Sequence, residues 1–523
     1  MIDREGSPMS HNMAAVAYIG SRVLQFRITE QSKHGIRELE YMESASDLGH
    51  QTFSTGRITY ESIESLCDRI NDFKLLAEGY GISEVNLFAT TALRDAKNRY
   101  YILDQISIKT ELDVEIIEDA EEKRMFYDRI IQHVEQNKAL KHKNAVISYI
   151  GTGSIGATYY NSKHIVHTQN IPLGTLKLRE SLGDKYRESA DFYLFMEEYL
   201  SSPLQLFKRH LPDQNIENMI VSGKQTDLLT RLFDIETDDE VGFITREAFM
   251  SLYDKVKHET PEEIGYEYDF RLVEAELLLP SLSIYKTIFD MTTAQTMTVI
   301  QMSFADILSW RIHYKEDYKS RILIFRDHTV ASSRYMASQY NYDARHSAAV
   351  EELSLVIFDQ IKKIHGLGKK DRLLLQVAAI MHSLGEFEGT DEYQQIVYDM
   401  LKCFNIVGLR KQDMTVIAEA SYKAMHHTDE GEFIEPTLSK GQQIKVTKMA
   451  AILKLAEALD ISRKQKFRKI NIHATGKKLK IEAESGQNFI LEEWRFSKAA
   501  TFFRRIFGLE AKLTVKRSYD ELS

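Results

Sequence analysis

Two stretches of this chain share one design, and that pairing limits the folds it can reach. Residues Ala14 to Thr29 read AAVAYIGSRVLQFRIT, and residues Ala145 to Tyr159 read AVISYIGTGSIGATY. In each, apolar and β-branched residues flank a glycine turn, the pattern of a β-hairpin. Each contains Tyr-Ile-Gly, at Tyr18-Ile19-Gly20 and Tyr149-Ile150-Gly151. Two such hairpins, about 130 residues apart, predict two duplicated lobes facing each other. Glycine lets backbone N–H groups come close to a ligand, and successive N–H groups form a nest for anionic oxygens. Ser21 and Ser154 each add a hydroxyl. Taken singly, either segment is better read as an ordinary hairpin turn; the pairing is what shifts the balance towards a shared anion cleft.

The chain has 523 residues, which at roughly 100–200 residues per domain implies about three or four domains. Its 43% apolar and 28% charged residues exclude disorder as the main state. Lys plus Arg is 67 and Asp plus Glu is 77, for a formal net charge of −10. That balance argues against a dedicated binder of duplex nucleic acid or anionic membranes, while leaving room for a local basic pocket. Cys67 and Cys403 lie far apart and have no metal-like spacing, which excludes a disulfide framework and fits a reducing, cytoplasmic setting. No run reaches the roughly 18 apolar residues of a membrane span, and MIDREGSPMSHN lacks the apolar core of a signal peptide.

Between the hairpins, NLFATTALRDAKN (Asn86 to Asn98) reads as a strand, a Thr-Thr turn and a helix with Arg94 in its first turns. A guanidinium beside a helix N-terminus suits phosphate; the alternative is a solvated helix arginine. VEIIEDAEEKRMFYDRII (Val114 to Ile131) reads as a strand and then a helix. There Asp119 and Glu122 have the spacing of a capping-box variant. Glu121 or Glu122 is alternatively a base for activating water.

Taken in order, these pieces resemble the exopolyphosphatase/guanosine pentaphosphate phosphatase family. Ala17-Tyr18-Ile19-Gly20-Ser21-Arg22-Val23 resembles its first phosphate loop, Ile-Asp-x-Gly-Ser-Asn-Ser. Thr90, Arg94, Ala96 and Asn98 follow its Thr-x-x-x-Arg-x-Ala-x-Asn pattern. Asp119-Ala120-Glu121-Glu122-Lys123 stands at its Gly-x-Glu-Glu-Ala. Tyr149-Ile150-Gly151-Thr152-Gly153-Ser154-Ile155-Gly156 stands at its second loop, Asp-x-Gly-Gly-Gly-Ser-Thr-Glu. Ile171-Pro172-Leu173-Gly174 and Val221-Ser222-Gly223 are weaker echoes. Farther on, His346, the stretch Ala378 to Gly385 and the helix Val446 to Ser462 resemble a His-Asp-type helical domain.

The resemblance implies an α/β N-terminal half of two ribonuclease-H-like (actin-like ATPase) lobes at 13–136 and 137–312. An all-α His-Asp-like domain would follow at 320–465, and a small α/β domain at 466–523. It implies hydrolysis of phosphoanhydride bonds, in polyphosphate or guanosine pentaphosphate. Glu121 would be the catalytic base, and Gly20, Ser21, Arg22, Arg94, Gly151, Gly153 and Ser154 the phosphate binders. A homodimer, or pairing with a homologue, is the expected assembly.

The departures from the pattern are systematic. The aspartates of both phosphate loops, which in the family help hold a divalent cation, are Tyr18 and Tyr149 here. A carboxylate is a hard ligand for Mg²⁺; a phenol with a pKa of about 10 is neutral at pH 7 and bulkier. The Thr-Glu ending the second loop is Ile155-Gly156. In the helical domain, the Asp of the His-Asp pair is Ser383 beside His382, and the late Asp is Glu457, with Asp460 one turn on. These changes leave Mg²⁺ doubtful and no assigned metal ligand, with His346 and His382 as packing histidines. His328, His426 and His427 have no ligand spacing. The expectation is an exopolyphosphatase-like hydrolase with weakened or lost catalysis. The alternative is a pseudoenzyme that binds a phosphorylated ligand or an active homologue and regulates. The basic run Arg463 to Lys469 is either a guide for a polyanion or a solvated linker face.

Overall fold

The computed structural model describes residues 13–33, 35–151, 154–175, 178, 192–212, 215–223, 226–235, 241–384, 393–425, 435–436 and 438–517. It divides into two compact units. The first runs to Phe325 without His164–Thr168, and the second holds that short segment and Arg326 onward.

Both expected hairpins form in the first unit. β1 (Met13–Ile19) pairs antiparallel with β2 (Val23–Ser32), and the Gly20 N–H closes the turn by donating to Val23 O at 2.9 Å. β6 (Asn144–Ile150) pairs likewise with β7 (Ile155–Asn161), closed by Gly151 N–H donating to Ser154 O at 2.9 Å. Each hairpin then gains parallel strands. β4 (Val85–Ala89) lies beside β1 with β5 (Val114–Ile116) outside it. In the second lobe β9 (Asn218–Ser222) lies beside β6 with β11 (Thr296–Ile300) outside it.

With β3 (Gly35–Ala45) and β8 (Ile165–Ile171), the strand orders are β3-β2-β1-β4-β5 and β8-β7-β6-β9-β11. The two orders coincide, which is the duplication read from the paired hairpins. β10 (Val241–Thr245) adds an antiparallel edge beside β11. β1 and β6 are central and read as near-continuous apolar runs, as strands covered on both faces do. Their burial patterns are identical, and in both the residue before the last, Tyr18 or Tyr149, is only partly buried. In the first lobe, Ile63, Leu66, Ile70, Phe73 and Ala77 of the helix Tyr60–Gly79 pack on the sheet at helical spacing.

The helix Asp119–Gln136 is capped at Glu118, without a side-chain bond, and the Glu122 carboxylate pairs with Arg94 at 3.5 Å. A nearby guanidinium is a stronger partner for a carboxylate than a neutral backbone N–H.

The second unit is built on the helices Ala344–Gln360, Lys369–Met381, Tyr393–Cys403, Lys411–Met425 and Lys440–Ala458. β12 (Arg468–Thr475) and β13 (Lys478–Ser485) form a hairpin at Gly476, whose φ of +59° favours glycine. The helix Ile490–Phe507 then returns β14 (Glu510–Arg517) parallel to β13. Leu479 and Ile481 of the sheet and Phe496, Phe502 and Phe503 of its helix join Ile357, Leu375, Ile417 and Ala450 in one hydrophobic core. The C-terminal sheet therefore shares its core with the helical domain.

Candidate functional site

The cleft of the first unit is built where the two hairpins meet. Tyr18 Oη lies 3.1 Å from Thr90 Oγ1, and its ring meets Phe304 edge-on at 5.4 Å. Tyr149 meets Phe126 edge-on at 4.5 Å. Each ring lies over glycine backbone. A Cβ on Gly223, at φ +109°, would fall 2.8 Å from Tyr149 Cε2, and one on Gly20 would fall 3.1 Å from Tyr18 Cε1. Glycine at 223 thus leaves the room the ring uses. Both phenols line one cleft of about 600 Å³, with Phe126, Gly223, Met302 and Phe304.

Burial, and then the charge of Glu122, push both phenols up; Tyr149 reaches about 12 and Tyr18 goes higher. Both are neutral at pH 7. The charge of one carboxylate, Glu122, thus acts on both rings.

The other expected site residues are engaged locally. The Glu121 carboxylate accepts a bond from Tyr318 Oη at 3.0 Å, and Arg124 Nη2 stands 3.6 Å from it. Arg124 also donates to Tyr318 Oη at 2.6 Å. Arg94 donates to Ile117 O at 2.9 Å and Thr91 Oγ1 at 3.0 Å, and pairs with Asp95 and Glu122. The guanidinium expected as a phosphate clamp therefore ties the start of its helix to the end of β5. The Gly20 and Gly151 amides expected in anion nests are spent closing their own turns. Ser21 accepts the Gly49 N–H at its carbonyl, and Arg22 is exposed. Ser154 is partly buried. Gly153 lies outside the described residues.

The charge around the cleft was not legible in the sequence. Its described lining holds Glu38, Glu43, Asp227 and Asp306 against Arg27. Arg27 is paired to both Glu38 and Asp306. Tyr41 Oη donates to Glu43 at 2.6 Å and Gln301 Nε2 to Asp227 at 3.1 Å. Such a field disfavours a polyanion. The described donors at the loops, two neutral phenols and one carboxylate paired with Arg94, are a poor match for the hard oxygens that Mg²⁺ needs. Among the described residues, no group of three His, Cys, Asp or Glu side chains could hold a metal.

The second unit brings together the remnants of the His-Asp pattern. His346 Nδ1 donates to Asp460 Oδ2 at 3.0 Å, and the His346 and His382 rings lie 5.3 Å apart. His382 Nδ1 donates to Ala379 O at 2.8 Å. His328 Nδ1 accepts the Ile165 N–H at 3.1 Å, a packing role. His426 and His427 lie outside the described residues.

Comparison with known proteins agrees with this architecture. The profile described as "Ppx/GppA phosphatase family" matches residues 27–304, and that of "Ppx/GppA phosphatase, domain III" matches residues 325–498. Exopolyphosphatase 1 of Mycobacterium tuberculosis (strain H37Rv) is 24% identical over 110 residues, which are 21% of this chain and 32% of that protein. Exopolyphosphatase 1 of Mycobacterium bovis matches to the same extent. The match thus spans about a third of the length of these curated relatives. The Aquifex aeolicus Ppx/GppA family member superposes with a TM-score of 0.50 at 18% identity, over 59% of this chain and 98% of that one. That likeness bears on the fold alone. With the duplicated lobes, the helical unit and a family profile covering more than half the sequence, the chain belongs to the Ppx/GppA phosphatase family.

Proposed function

We propose that this chain is a non-hydrolysing member of its family, acting by binding and regulation rather than by turnover of polyphosphate or guanosine pentaphosphate. One observation carries the reading: Tyr18 and Tyr149, at both loop positions where the family pattern has aspartate, put neutral rings into the cleft. Metal-assisted charge neutralisation contributes several kcal/mol to such a transition state, and each 1.36 kcal/mol is about tenfold in rate. Loss of the metal ligands therefore costs orders of magnitude. The acidic rim supports the same reading, because it repels the anionic substrate before any chemistry. An active homologue, or a phosphorylated ligand held outside this acidic cleft, is the partner this role calls for. The free thiols Cys67 and Cys403 suit a reducing, cytoplasmic setting.

The enzyme reading keeps one feature, a Glu121 carboxylate held by Tyr318. Phosphate release from polyphosphate with Mg²⁺, for the wild type and Glu121→Gln, separates the two. The expected result is background release from both. Turnover by the wild type that Glu121→Gln abolishes would overturn the proposal.

A further inference from the structure

A second cavity lies wholly within the helical unit, and it is chemically unfinished. It measures about 190 Å³ and is lined by His346, His382, Ser383, Glu457, Arg463 and Arg495, with Tyr393, Gln394 and Met425 beside them. His382 Nε2, Ser383 Oγ and Glu457 Oε2 are buried atoms of this lining with no hydrogen-bond partner among the described residues. His382 and Ser383 are only 2% and 4% exposed. A buried polar group left unpaired has lost its water without a compensating hydrogen bond, which is unfavourable. Three converging on one space therefore point to something that satisfies them.

The identities of the atoms say what that is. His382 Nδ1–H is committed to Ala379 O, so in the neutral ring Nε2 presents a lone pair. Burial first, and then His346, hold His382 down to about 3, so the ring is neutral at pH 7. Glu457 Oε2 is a second acceptor, and Ser383 can donate or accept. Arg463 and Arg495 can only donate. Burial pushes the Glu457 carboxyl up, and the charges of Arg495, His346 and Arg463 pull it back towards the carboxylate; the Arg463 charge also acts on His382. Asp460 organises this wall: besides His346 it accepts from the Gln465 N–H and from Gln465 Nε2, both at 2.8 Å. It thereby pins the loop in which Arg463 sits at φ +57°.

A ligand that completes the cavity must donate to a carboxylate and an imidazole, and the two guanidinium groups beside them favour one that is anionic. We propose that this cavity binds a protonated oxyanion of the phosphate class. Arg463, Arg495 and the Ser383 hydroxyl would donate to its oxygens, and its own P–OH would donate to Glu457 Oε2 or His382 Nε2. Orthophosphate carries such a proton at neutral pH, and a phosphate monoester, with a second pKa of about 6, carries it in its monoanionic form; sulfate does not. The Glu457 carboxylate is therefore the discriminating residue, because an acceptor facing an unprotonated anion leaves both unsatisfied. The cavity is small, so free orthophosphate or a short monoester fits and a polymer does not. The site is separate from the tyrosine-lined cleft and stands whether or not that cleft hydrolyses anything.

Calorimetry on the full chain tests it, with orthophosphate, sulfate and glycerol phosphate as probes. Orthophosphate is expected to bind saturably, and sulfate at equal ionic strength at least tenfold more weakly. Glycerol phosphate binding as well as orthophosphate would identify a monoester as the natural source; exclusion of glycerol phosphate would identify the free ion. Ser383→Ala and Arg495→Gln should each weaken phosphate binding tenfold or more. Glu457→Gln, whose amide can donate, should narrow the gap between phosphate and sulfate. Absence of phosphate binding by the folded wild type overturns the proposal. So does equal binding of sulfate, or phosphate binding that survives Ser383→Ala in a chain of unchanged circular dichroism.

Discussion

The cleft of the first unit and the cavity of the second are both places where the family pattern has carboxylates and this chain does not. They have been resolved in opposite ways. In the cleft the replacements are larger than aspartate: Tyr18 and Tyr149 lie on Phe304, Phe126 and the glycine backbone, and the Tyr18 hydroxyl meets Thr90. In the cavity the replacement is smaller: Ser383 leaves space, and its own oxygen, His382 Nε2 and Glu457 Oε2 have no partner among the described residues. The lesson is one of volume. A bulkier neutral group converts a ligand site into packing, while a smaller polar one converts it into a differently shaped ligand site.

That contrast breaks most directly by truncation. Tyr149→Ala removes a ring packed on Phe126 and Gly223, so a loss of about 3 kcal/mol is expected. Ser383→Ala in phosphate-free buffer deletes an unpaired hydroxyl and should stay within about 0.5 kcal/mol. Urea denaturation of both variants checks this. Similar losses would mean that the two sites do not differ as described.

A pH series sharpens the comparison, because the two regions fail at opposite ends. Tyr149 is held up to about 12 in the fold by burial and the Glu122 charge, against about 10 when unfolded. The unfolded chain loses the proton first, so this stability is complete below pH 10 and is lost as pH rises through 12. His382 is held down to about 3, against about 6.5 unfolded. Its contribution is complete above pH 6.5 and is lost as pH falls towards 3. Each group changes stability by up to about 1.4 kcal/mol per pH unit. Tyr149→Phe should flatten the alkaline limb and His382→Gln the acid limb of the stability profile. An unchanged limb would refute the corresponding assignment.

The smallest expected effect is at Tyr18→Phe. It keeps the ring on Phe304 and loses only the contact with Thr90, so about 1 kcal/mol should be lost in thermal unfolding. A much larger loss would mean that the hydroxyl, rather than the ring, holds the first loop.

Much of the scaffold was legible before any coordinates. The two Tyr-Ile-Gly hairpins, the helix after Ile117 and the helices from Ala344 to Ala458 all form where the sequence put them. The shared strand order of the two lobes follows from the repeated hairpin. The site was less legible. Arg94 and Glu122, read as clamp and cap, pair with each other. No motif announced the acidic rim, because Glu38, Asp227 and Asp306 come from distant segments.

Alternation, helical spacing and turn glycines are local properties, so the sequence by itself determined the strands, the helices, the duplication and the loss of the loop carboxylates. Where the side chains went was decided only by the tertiary structure. Tyr149 meets its glycine 74 positions away at Gly223, and the cavity draws His346, Glu457 and Arg495 from three separate helices. Whether a substituted residue fills a space or opens one depends on neighbours that are distant along the chain, and on what charge those neighbours still have to pair.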